Sequence, residues 1–117
     1  MDKKHLVIGI VGPCKSGKTT LQKGLISRGY QGKQIAQEHS FSPSMWKVLT
    51  NPDMLIFLDV SYENMVERGK SNWLEKDYEE QYRRLAHAME RADLHVNTDE
   101  NNIEEVLALI IDFIEGV

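Results

Sequence analysis

Residues 9–20 read GIVGPCKSGKTT, with Gly12 and Gly17 standing just ahead of Lys18, Thr19 and Thr20. The run leading into it, HLVIGIV (5–11), carries β-branched residues at odd and even positions alike. That pattern fits a strand buried on both faces, as in a parallel sheet. After Gly17 the apolar spacing turns helical, with Leu21, Leu25 and Ile26 directed inward and Gly29 as a stop. Gly12 to Thr19 therefore satisfy G-x-x-x-x-G-K-[ST] between a predicted strand and a predicted helix.

Each part of this loop has a physical task. Glycine lets the backbone take turns closed to other residues and approach a ligand closely. Successive main-chain N–H groups then face one concavity and bind phosphate oxygens, and the helix start adds partial positive charge. Gly12, Pro13, Cys14, Lys15, Ser16, Gly17, Lys18, Thr19 and Thr20 make up the candidate cradle. Lys18 can reach β- and γ-phosphates, and Thr19 can place its hydroxyl on Mg²⁺. Cys14 lies inside the loop and reads first as a tolerated residue, the lesser alternative being a reactive thiol whose pKa the neighbouring lysines lower.

The 117 residues fit one domain, 1–117, long enough for a core without staples. The hydrophobic fraction of 41% and charged fraction of 27% are ordinary for a globular protein. A net charge of -4 disfavours nucleic acid as a general partner. No apolar run approaches the roughly 20 residues a membrane span requires. The opening MDKKH and the short apolar run after it do not read as a secretory leader. A single cysteine excludes an internal disulfide framework and suits a reducing compartment, so the expected location is cytoplasmic.

Further along, KQIAQE (33–38) is a weaker strand candidate, and SPSMWKVL (42–49) reads as a short helix with Ser42 as cap and Pro43 in its first turn. MLIFLDV (54–60) is the clearest buried strand. Helices are expected over 61–68 and 75–92, the second with Tyr78, Tyr82, Leu85, Ala86 and Met89 on one side. DLHVNT (93–98) is a short strand. The last helix is expected to begin near Asn101 with Glu104 as capping partner, its apolar face being Ile103, Val106, Leu107, Ile110, Ile111 and Ile114. Leu109 and Phe113 lie off that face and could widen the buried stripe or seed a homodimer. Four strands alternating with helices predict an α/β fold, a three-layer α/β/α sandwich on a sheet of about four parallel strands. Ligands in such sheets sit at the carboxyl ends of the strands, where Gly12, Glu38, Asp59 and Thr98 fall.

The loop resembles the Walker A motif of P-loop nucleoside triphosphatases. NTDE (97–100) lacks the lysine of the N-K-x-D motif of guanine-specific GTPases. Four stretches resemble the nucleotide-kinase branch, nearest in layout to thymidylate kinase and deoxynucleoside kinase relatives. They are the loop, NPDMLIFLDVSYENMVERG (51–69), the helix ending YRRLAHAMERADLHVNTDE, and the closing amphipathic helix. The resemblance implies a P-loop NTPase fold, ATP or ADP with Mg²⁺ as cofactors, and a kinase-like phosphotransferase. It implies that Arg68 begins a lid over the phosphates, with Arg83 or Arg84 as a returning cation. The plainer reading of those two is ion pairing along the helix. Glu38 and Asp59 are both candidates for the acid near Mg²⁺, with Glu38 favoured as base or water-mediated contact. Thr98–Asn102 falls where such kinases contact the base.

Two departures stand out. His39 occupies the place of the family's arginine, and neutral histidine cannot hold an acceptor phosphate as arginine does. The acceptor-holding insertion between the first helix and the second strand is missing. The expected function is thus a compact kinase-like enzyme of unknown acceptor. The alternative is a nucleotide-binding module or slow NTPase acting as a switch. The four histidines show no metal spacing, and of the aromatic Trp46 and Trp73, Trp46 reads as a packing residue before a pocket residue.

Overall fold

In a computed structural model, which describes residues 3–69 and 74–117, four strands pair in the order β2-β1-β3-β4, every pair parallel. β1 is Val7–Val11, β2 Gln31–Gln34, β3 Met54–Asp59 and β4 Leu94–Asn97. The two central strands are the ones whose sequences are apolar throughout, VIGIV and MLIFLD. The edge strands QGKQ and LHVN bury little more than Gly32 and Val96. Helices α1 (Lys18–Ser27), α2 (Met45–Leu49), α3 (Tyr62–Gly69), α4 (Glu75–Arg91) and α5 (Ile103–Glu115) fill the connections, with a 3₁₀ turn at Gln37–His39.

Strand side chains alternate between faces, and two separate cores result. Ile8, Ile10, Met54, Ile56, Leu58 and Val96 pack with Leu21 and Leu25 of α1 and with Val106, Leu107, Ile110 and Ile114 of α5. Val11, Leu55 and Phe57, joined by Ile35, pack with Trp46 of α2 and with Leu85 and Ala88 of α4. Trp46 is therefore a core residue, its indole N–H donating to His87 Nδ1 at 3.1 Å. Trp73 and the segment around it lie outside the described residues.

Three expectations shift. β2 begins two residues before KQIAQE and ends at Gln34, after which the chain turns. Gln37 holds that turn: its side chain donates to Ser42 O and Arg84 O and accepts from Trp46 N–H. α2 is shorter than SPSMWKVL, with Ser44 rather than Ser42 at its N-cap. The capping box of α5 is Asn102 with Glu105, each accepting the other's main-chain N–H at 2.9 Å. Asn101 is drawn away to Asn97 O. Of the two off-face residues on α5, Phe113 packs partly on the core and Leu109 is exposed. No helix among the described residues is long and apolar enough to cross a membrane.

Phe57 sits at the centre of the second core with no exposed surface, its ring against Tyr82 and His95. Phe57→Ala is expected to cost about 3–5 kcal/mol, read as a lower urea midpoint with an unchanged slope.

Candidate functional site

The loop leaves the carboxyl end of β1 and wraps into α1. At Gly12 an added Cβ would lie 2.5 Å from the Leu58 carbonyl and 2.7 Å from Ser16 Oγ, so only glycine lets the loop pass this close to β3. Lys15 (φ 66°) and Gly17 (φ 100°) both take left-handed backbone, which curls the intervening peptides inward. Three N–H groups are satisfied. Cys14 donates to Gln81 Oε1 at 2.9 Å, Ser16 to Pro13 O, and Leu21 to Gly17 O. Among the described residues no hydrogen bond uses those of Lys15, Gly17, Lys18, Thr19 or Thr20. The last three belong to the first turn of α1, whose amides have no partner within the helix.

Lys18 is buried and turned back over the loop. Its Nζ donates to Gly12 O at 2.8 Å, Pro13 O at 3.1 Å and Glu38 Oε2 at 2.7 Å. Glu38, on the 3₁₀ turn after β2, is 3% exposed, and its Oε1 has no hydrogen-bond partner. Ser16 Oγ is likewise buried and unpartnered. Thr19 Oγ1 donates to Gln34 Oε1 at 3.1 Å, which leaves its lone pairs free. A cavity of about 640 Å³ is walled by the loop and the start of α1 on one side and by Gln34, Ala36, Glu38 and His39 on the other.

Cys14 faces the same cavity. Its Sγ lies 3.3 Å from His39 Nε2 and 3.9 Å from Glu38 Oε2, and those two are 3.8 Å apart. Spacing along the sequence gives no hint of this cluster, because its members come from two different connections. Burial and then the Glu38 carboxylate push the thiol above its ordinary pKa, outweighing Lys18, the Gln81 bond and Lys15. The neighbouring lysines therefore do not activate it.

Arg68, in the last turn of α3, reaches the opposite flank of the loop. It donates to Lys15 O at 2.8 Å, Thr98 Oγ1 at 3.1 Å and Thr98 O at 2.7 Å. Beside it lies a second cavity of about 290 Å³, between the loop and the segment from Thr98 to Ile103, floored by Leu58 and Val106. Arg83 and Arg84 do not join the site. Both pair with Glu80, and Arg84 also stacks over Phe41 at 4.3 Å.

Asp59, at the end of β3, accepts from Tyr82 O–H at 2.8 Å and lines neither cavity. Burial, with help from Tyr78 and Asp59, drives the Tyr82 phenol far above its usual range, so it stays a donor. Gln81 is the contact that sequence reasoning misses. A signal existed, since it precedes Leu85 by four residues and Ala88 by seven, on the face that α4 buries.

No protein-family model matches the chain, and no curated protein matches it either.

A thiol held above its ordinary pKa is mostly protonated near neutrality. Alkylation of Cys14 by iodoacetamide at pH 8 is expected to be several-fold slower in the folded chain than in urea. A faster reaction in the folded chain would contradict the electrostatic balance described above.

Proposed function

We propose that this chain is a P-loop NTPase of three-layer α/β/α architecture that binds ATP with Mg²⁺ and works as a compact kinase-like phosphotransferase of unassigned acceptor. One observation carries the reading: five main-chain N–H groups between Lys15 and Thr20 lack acceptors, beside buried Lys18, at the carboxyl edge of a parallel sheet. Such an edge is where ligands bind in open α/β sheets, and a nest of this kind favours a polyphosphate.

The other residues take roles from their positions. Lys18 holds two loop carbonyls and Glu38. Transferring its donors to phosphate oxygens would leave Glu38 free to accept a proton from an acceptor hydroxyl. The smaller cavity, with Thr98, Asn101 and Asn102, suits the base, and Arg68 beside it suits charge on the transferring group. The larger cavity falls within the size range of small-molecule sites. Thr19 and Glu38 line one cavity, and Glu38 carries an unpartnered carboxylate oxygen, so these two fit a hard cation. Magnesium there would neutralise phosphate charge. Asp59, engaged with Tyr82, fits that role less well.

A second reading has its own support. Only Arg28, Gly29 and Tyr30 separate α1 from β2, so no acceptor-holding insertion exists. A nucleotide switch with slow hydrolysis would need none. Turnover with ATP alone and then with candidate phosphoryl acceptors separates the two.

Lys18→Ala is expected to weaken binding of a non-hydrolysable ATP analogue about 10- to 100-fold by calorimetry, with an unchanged far-UV CD spectrum. Equal affinity would remove the site. Glu38→Gln is expected to lower turnover by about 10²–10⁴ while changing affinity much less. Loss of affinity at retained turnover would favour Asp59 as the acid, or a structural role for Glu38.

A further inference from the structure

We propose that Cys14, Glu38 and His39 form a three-ligand Zn²⁺ site whose open fourth position faces the 640 Å³ cavity. The geometry is already close to that of a bound ion. Tetrahedral zinc with Zn–S near 2.3 Å and Zn–N and Zn–O near 2.0–2.2 Å sets its ligand atoms about 3.4–3.6 Å apart. The three separations here are 3.3 Å for sulfur to imidazole, 3.9 Å for sulfur to carboxylate and 3.8 Å for imidazole to carboxylate. An ion could enter with shifts of a few tenths of an ångström.

A second observation points the same way. Glu38 is almost fully buried, it lines the cavity, and its Oε1 satisfies no donor. A buried carboxylate oxygen without a partner is costly. The oxygen facing Cys14 and His39 is Oε2, which Lys18 also holds; a turn of the carboxylate would give Oε1 to the ion and leave the other oxygen to Lys18. The donor set also sorts the metals. Thiolate and imidazole suit zinc, whereas magnesium takes oxygen ligands in octahedral geometry and binds thiolate poorly. The site is therefore chemically distinct from the Thr19–Glu38 position, although the two share one carboxylate.

Charge ties the site to the loop. Zn²⁺ with one thiolate, one carboxylate and a neutral imidazole sums to zero, and coordination sends the Cys14 thiol proton to the buffer. The ion would then sit on the carboxylate that Lys18 now holds at 2.7 Å. By neutralising that carboxylate the ion would weaken its hold on Lys18 and favour release of the ammonium toward the loop concavity. Water, or an anionic group of a molecule in the cavity, would complete the tetrahedron.

The test uses the full chain, stripped with chelator, in the absence of nucleotide. Co²⁺ is titrated in as a spectroscopic stand-in. The expected result is 1:1 binding with a thiolate-to-cobalt charge-transfer band, visible bands of four-coordinate intensity, and displacement by Zn²⁺ but not by Mg²⁺. His39 has a largely exposed side chain, so His39→Ala should fold normally by CD and lose affinity about tenfold or more. Cys14→Ser should abolish the charge-transfer band, and His95→Ala should change nothing. A wild-type chain without that band, or His39→Ala with undiminished Co²⁺ affinity, overturns the site. If Cys14→Ser fails to fold, the His39 variant decides. Because nucleotide is absent throughout, a negative result leaves the ATP reading to its own experiment.

Discussion

The buried pair between Lys18 and Glu38 is the contact around which the carboxyl edge of the sheet is arranged. It joins the first residue of α1, the helix that follows β1, to the turn after β2, the strand beside β1 in the sheet. Taking both charges out of water costs several kcal/mol per ion, on the order of what their attraction returns. The balance is helped on the lysine side by two carbonyls of the loop itself. On the carboxylate side it is left incomplete, because Oε1 has no donor. A pair satisfied at one end and open at the other is poor material for stability alone. It is well suited to exchange, in which an incoming anion takes Lys18 or an incoming cation takes Glu38.

The loop has to be both close to the sheet and open to solvent, and the surrounding contacts divide that work. Gly12 allows the close pass against Leu58, while the left-handed turns at Lys15 and Gly17 bend the peptides inward. Gln81 from α4 and Arg68 from α3 then hold the loop from its two flanks, at Cys14 N–H and at Lys15 O. Neither contact uses the amides from Gly17 to Thr20. Asp99 fixes the start of α3 by accepting from Ser61 N–H and Asn64, which keeps Arg68 within reach of Thr98. Partial burial opposes ionisation of that carboxyl, yet these bonds and Arg68 hold its pKa below the ordinary value.

Much of this was legible in the chain because local pattern and global position agree. VIGIV and MLIFLD are apolar throughout because they are the central strands, covered on both faces. The loop was legible because glycine spacing encodes a backbone shape directly. β2 was misplaced because an edge strand has little to bury, and QGKQ carries no alternation to read. Gly32, which sounds like a breaker, is there because α1 packs so tightly that a Cβ would lie 3.3 Å from Leu25. The Cys14–His39 contact was invisible for a different reason, and Gln81 showed only its place on the buried face of α4, not the partner it meets. Both contacts depend on how α4 and the 3₁₀ turn approach the loop, a tertiary fact without a sequence period.

The short connection between α1 and β2 creates the donor cluster. With three residues between α1 and β2, the chain returns at once to the edge of β1, and Ile35 N–H continues the pairing to Ile10 O. The turn that follows is anchored by Gln37, which bonds Ser42 O and Trp46 N–H. Glu38 and His39 are thereby brought against Lys18 and Cys14. Between these segments lies a cavity walled by a thiol, an imidazole, a carboxylate and two lysines.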